Sequence, residues 1–169
     1  MSSQQDSLLK RVQSSYVRLT SVAQDLNKVS NDLGDVILIL DDSLKKLNLG
    51  ISTWHQFSGD TSEDGRFWEK HIGYARIGSR WGISLSRMSG HVEAPPESNL
   101  DEEWLFNDAP RELRLESVEH IPAMIDKLIE AGEAAVQRIR EKTSEAQHLA
   151  EALGAASHHS KPVQRNPQS

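Results

Sequence analysis

Residues 73–87 read GYARIGSRWGISLSR. Gly78-Ser79 sits between two alternating runs, and a glycine at the first central position suits a two-residue type II′ hairpin turn. That turn sets a register: Ile77 faces Arg80, Arg76 faces Trp81, Tyr74 faces Ile83 and Ile72 faces Leu85. One face of the hairpin then carries Ile72, Tyr74, Ile83, Leu85 and Trp81, with Arg76 able to lie over the indole. The other carries Gly73, Ala75, Gly82 and Ser84, small residues that let another group approach the backbone closely.

Working outward, the period stays at two on the upstream side. Ile51, Thr53, His55 and Phe57 alternate with Ser52, Trp54 and Gln56, and the acidic stretch Ser58–Gly65 reads as a loop. Strands are predicted over Phe67–Ile77 and Trp81–Met88, which makes a three-stranded antiparallel meander. Glu93–Glu103, with Pro95-Pro96, reads as an exposed loop. Trp104-Leu105-Phe106 is expected to pack at the junction between sheet and helices, with a short edge strand as the form considered.

On both sides of the sheet the period changes to a heptad. From Leu9, alternate steps of three and four residues meet Val12, Tyr16, Leu19, Ala23, Leu26, Ser30, Leu33, Ile37, Leu40, Leu44 and Leu47; only Ser30 is polar. A second row, Leu8, Val22, Val29 and Val36, widens the stripe beyond what a two-stranded seam needs. From Val118 a weaker seam runs through Ile121, Ile125, Leu128, Gly132, Ala135 and Ile139 to Leu153. Pro122 cannot donate to the Val118 carbonyl, so a kink or a short preceding helix is expected there.

The fold class expected is therefore mainly α with a small antiparallel β insertion. Two long antiparallel coiled-coil-like helices form a stalk, joined by the meander as a head. The segments are 1–49, a stalk helix; 50–106, the head; 107–153, the second helical part; and 154–169, a disordered tail. The order helix, β-hairpin, helix is similar in outline to that of prefoldin subunits, without a shared motif to carry residue roles.

The chain has 169 residues and a formal net charge of −6. That charge weighs against global attraction to nucleic acid or acidic membranes. There is no cysteine, which removes thiol chemistry, disulfides and Cys-ligated zinc, and agrees with a cytoplasmic protein. The longest apolar run, VILIL at 36–40, is too short to span a bilayer. No Gly-x-Ser-x-Gly elbow, phosphate loop or His-Glu-x-x-His pattern occurs. His55 and His71 lie in predicted strands, but their spacing specifies no metal. No enzyme activity, cofactor or metal is expected.

The head is locally basic, with Arg66, Lys70, Arg76, Arg80 and Arg87 against Glu69. Trp68, Tyr74, Arg76, Arg80 and Trp81 are the candidate partner or ligand face. The candidate oligomer seam is Leu19, Leu26, Leu33, Ile37, Leu40, Ile125, Leu128 and Ile139. The leading functional expectation is a non-catalytic scaffold that binds itself as a homodimer or higher oligomer and presents its head to a protein partner. The alternative is a ligand-sensing or nucleic-acid-binding module using the basic aromatic face; the flanking acidic loops weigh against nucleic acid. A third reading, an accessory or antagonist protein of a phage or bacterial defence locus, rests on a small acidic chain without catalytic motifs.

Overall fold

The structure, a computed structural model, describes residues 2–159, with side chains described from 4 to 155. The chain divides into two compact units, Met1–Leu128 and Ile129–Ser169. The first contains α1 (Ser2–Lys46), strands β1 (Thr53–Thr61), β2 (Arg66–Ile77), β3 (Arg80–His91) and β4 (Leu100–Leu105), and the short helix α2 (Arg111–Ser117). It also holds the first turns of α3 (Ile121–His159), whose remaining turns are the described part of the second unit.

The expected three-stranded meander is corrected to a four-stranded antiparallel sheet in the order β1-β2-β3-β4. The extra strand comes from a segment whose acids and prolines masked it. Leu100–Leu105 pairs with Ser84–Ser89, and Arg87 bonds Glu102 across the two strands at 2.6 Å. β1 also runs further than the alternation indicated, because an irregularity between Gln56 and Ser58 resets the pairing and carries it to Thr61.

The central hairpin has the register read from its turn: Ile77 opposite Arg80, Arg76 opposite Trp81, Tyr74 opposite Ile83, Ile72 opposite Leu85. Gly78 has φ +60, as the first position of a type II′ turn requires. The close approach predicted over the small face comes from the chain itself. A Cβ at Gly73 would lie 2.6 Å from the Trp54 ring, and one at Gly82 would lie 3.0 Å from both Asp41 carboxylate oxygens.

The core lies on the other face. Ile72, Tyr74, Ile83 and Leu85 cluster with Ile37 of α1, Phe106, Ala109, Leu113 of α2, and Ile121, Met124 and Leu128 of α3. The short helix predicted before Pro122 is α2 with a 3-10 turn, Val118–His120. Pro122 then falls at the second position of α3, where a missing N–H leaves no helical bond unmade.

The coiled-coil seam expected along each long helix is corrected by which of its apolar residues are buried. In α1 the buried face is Ser30, Gly34, Ile37 and Asp41, with Leu33 and Leu44 partly buried. A straight helix drifts against a strict heptad by about 20° per repeat. Packed on a sheet and not on a supercoiled partner, α1 therefore turns Leu40 outward, 39% exposed, and brings Asp41 in. Leu19 and Leu26 are exposed as well, at 64% and 43%. In α3 the buried residues are Ile121, Met124 and Leu128, Ile125 is partly buried, and Ile139 is exposed. α3 continues past the expected end at Leu153 to His159; the rest of the tail, 160–169, lies outside the described residues.

The rotation of α1 has a direct readout. Ile37→Ala is expected to cost about 2–5 kcal/mol in denaturant unfolding, as a buried large-to-small change does. Leu40→Ala is expected to cost less than half as much, and equal losses would restore the heptad face.

Candidate functional site

The predicted head face does not assemble as one site. Tyr74 is 3% exposed and belongs to the core, where its ring stacks on Trp81 at 5.7 Å. The indole partner is thus Tyr74, in place of the expected Arg76. Trp68 is exposed at the far end of β2, roughly 26 Å along the strand from Arg76 at 3.3 Å per residue.

Its cations are paired within the chain. Lys70 meets Glu116 at 2.6 Å, Arg80 meets Asp108 at 3.0 Å, Arg87 meets Glu102 at 2.6 Å, and Arg66 meets Asp64 at 3.0 Å. Arg76 is exposed and makes no ion pair among the described residues. Asp64 and Glu102 from the acidic segments, with Asp108 and Glu116 from further along the chain, are thus the counter-charges of four basic strand residues, which removes most of the field that would attract a phosphate backbone.

The two strand histidines are held apart by the pleat. His55 lies beside His120 at 6.2 Å between ring centroids, and His120 stacks on Phe57 at 4.9 Å. His71 is on the opposite face, with Nε2 3.3 Å from Glu69 and Nδ1 3.3 Å from the Ser86 hydroxyl. A shallow groove there is lined by Trp54, His71, Ser86, Met88, Asp101 and Glu103. Burial, reinforced by the nearby Asp101 charge, raises the Glu103 carboxyl above its ordinary range. Among the described residues no three His, Cys, Asp or Glu side chains converge to hold a metal ion.

A second groove, about 310 Å³, opens where α1 meets the end of the sheet, between Ile37, Leu38, Trp81, Ile83, Leu105 and Phe106. Its polar groups are committed to the fold. Asp41 accepts the Ile83 N–H at 2.8 Å and receives Lys45 at 2.6 Å. Asn107 donates to the Gly34 carbonyl at 3.3 Å, an approach that works because a Cβ at Gly34 would lie 2.9 Å from the Asn107 amide oxygen.

The surface left uncommitted is the N-terminal part of α1. From Leu8 to Val29, the seam residues Leu9, Val12, Tyr16, Leu19 and Leu26 and the adjacent row Leu8, Val22 and Val29 are 43–70% exposed. A groove of about 370 Å³ runs between Leu8, Val12, Tyr16 and Leu19. The positions flanking the seam on the other side are Gln13, Thr20 and Asn27, polar but uncharged. The stripe is continuous with the one that carries Ile37 onto the sheet, so one helix face is half covered and half open. Ile129, Val136, Ile139, Leu149 and Leu153 on α3 are likewise exposed.

Sequence reasoning found the stripe from its spacing and assigned it both to the second long helix of the chain and to an oligomer seam. It missed Asp41 and Met124. Asp41 carried a weak signal, an acid four residues before Lys45 on the apolar side of α1; Met124 stood one position off the heptad row. Among the described residues, no helix is long and apolar enough to cross a membrane. No family model, curated protein or solved structure matches this chain.

The Asp41 junction has a pH signature. The hydrogen bond that Lys45 donates to Asp41, with the Asp41 and Asp42 charges, outweighs desolvation and raises the Lys45 amine above its ordinary value. A raised folded-state pKa contributes stability that is complete below the unfolded pKa, about 10.4, and is lost as pH rises through the folded value. Unfolding followed by tryptophan fluorescence is expected to show a loss above about pH 10.4 that Lys45→Met lacks; identical profiles would remove the pair from the stability of the junction.

Proposed function

We propose that the protein is a non-catalytic, self-associating scaffold whose assembly surface is the open stripe of α1. The sheet and the helices over it form a rigid head that is carried by the assembly and offered to a protein partner. The observation that carries this reading is the exposure of eight large apolar side chains in a row from Leu8 to Val29, on a helix whose next turns bury the same face. Burying one such side chain is worth about 1.5–3 kcal/mol, or roughly 60–120 Å² at 25 cal/mol per Å². Eight of them, 43–70% exposed beforehand, supply about 280–560 Å² of apolar area per partner, which approaches the apolar half of a stable interface of roughly 800 Å² per partner.

A second copy suits this stripe. Its flanks carry no charge that would repel an identical helix, and its width, seam plus one row, exceeds a two-stranded zipper and admits a bundle. The internal pairing of the basic strand residues supports a head that meets protein over one that meets nucleic acid. A cysteine-free chain agrees with a cytoplasmic setting.

Sedimentation of the full chain tests the reading. The expected mass is a multiple of 18.9 kDa at about 100 μM protein. Leu19→Asp with Leu26→Asp is expected to return it to the single-chain mass with the helical circular dichroism of the head retained, since both side chains are exposed in the isolated chain. A wild-type monomer, or an oligomer indifferent to both substitutions, would sink the proposal.

A further inference from the structure

We infer that the copies pair antiparallel through α1, with Asp6 of each helix reaching the Arg111–Arg114 corner of the other. The inference rests on the self-association proposed above and adds its geometry.

The first argument is steric. The seam face of α1 is open from Leu8 to Val29 and occupied from Ser30 onward by the chain's own head, by Arg114 of α2 at Ser30, Asn107 at Gly34 and the sheet beyond. In a parallel pair, the two occupied segments would lie at the same height with the same faces turned inward. Two sheets would then compete for one gap between the helices. In an antiparallel pair the open segment matches itself. Leu9 meets Leu26, Tyr16 meets Leu19, and Leu8 in the flanking row meets Val29. Each head then begins just where the partner helix ends, with Ser30 opposite about residue 6 on the 1.5 Å rise.

The second is the chemistry of the flanks. In antiparallel pairs the row on one side of the seam meets its own copy, and so does the row on the other. Leu8 and Val29 therefore meet each other and Val22 meets the small Ser15, whereas a parallel pair would set Leu8 against Gln13 and Val22 against Asn27. Just outside that row, charge is graded along the helix: Arg11 and Arg18 come first, and Asp25 and Asp32 follow. Reversing one helix sets the basic end beside the acidic end; a parallel pair sets like beside like.

The third is an unfilled corner. Arg111 donates to the Asn27 side chain at 2.7 Å and Arg114 to the Ser30 hydroxyl at 3.1 Å. Both guanidiniums sit where the open stripe meets the head. Neither has a carboxylate partner among the described residues, and both Nε atoms lack an acceptor there. Asp6 is exposed, and in the antiparallel register it lies opposite Asn27, beside these two arginines. A carboxylate is the group a guanidinium fork binds best.

Spin-label distances in the full-length chain decide the orientation, and the absence of native cysteine makes single sites clean. Lys10→Cys and Lys28→Cys place labels on outward positions of α1. Antiparallel pairing is expected to give about 25–35 Å within each labelled species and about 10–20 Å when the two are mixed. Asp6→Arg is expected to weaken association roughly three- to tenfold, and Asp6→Arg with Arg111→Asp to recover part of it. The reversed distance pattern, short within each species and long in the mixture, would overturn the inference. So would an oligomer without dipolar coupling between the α1 labels. A chain that sediments as a monomer removes the self-association reading itself, a result told apart from the other two by mass alone.

Discussion

Asp41 holds the molecule together at the point where its two kinds of structure meet. β4 pairs with β3 only as far as Leu105 opposite Ser84, and the chain then turns into the buried Phe106. The next N–H of β3, that of Ile83, is left inside the protein. A buried donor without an acceptor costs about 1–3 kcal/mol, and the Asp41 carboxylate removes that cost by continuing the ladder from a helix. Lys45, one turn on, balances the charge. The same contact requires Gly82, since a side chain there would meet both carboxylate oxygens.

Much of the arrangement follows from this anchor. With Asp41 turned toward the sheet, Ile37 and Leu33 must lie over the core, and Leu40 must leave it. The helix is then fixed to the sheet over its last turns alone. Its earlier turns extend with an apolar face open, and that face is what the assembly reading and its antiparallel form depend on. The head is closed in on its own terms: all of its strand cations but Arg76 have acids, its small-residue face has Trp54, and its core face has α1, α2 and the start of α3. Assembly surface and head surface are thus separated along one helix.

The central hairpin was legible in the sequence to the residue, because a two-residue turn with glycine first leaves a single register. The open stripe of α1 was legible too, by its period. What could not be read was which of two uses each stretch of that stripe has, since a leucine row looks the same whether it faces a sheet, a helix or water. β4 was obscured by its three consecutive acids, Asp101, Glu102 and Glu103, of which Glu102 pairs with Arg87 on β3. The candidate head face failed as a site because alternation along one strand does not report that Tyr74 is sealed beneath helices, while Trp68 stands far down the strand from Arg76.

Local chemistry alone determined the turn, the strand pairing across it, the helix break ahead of Pro122, and the amphipathic character of both long helices. Each depends on neighbours within a few residues, where φ preferences and side-chain period act directly. Tertiary structure decided what those faces meet. It rotated α1 so that an aspartate replaced a leucine in the core, recruited a fourth strand from an acidic loop, and left Leu8–Val29 uncovered. These outcomes depend on a buried N–H of β3, on ion pairs between distant segments and on the area available beneath each helix, and none of those quantities is written in the spacing of the residues themselves.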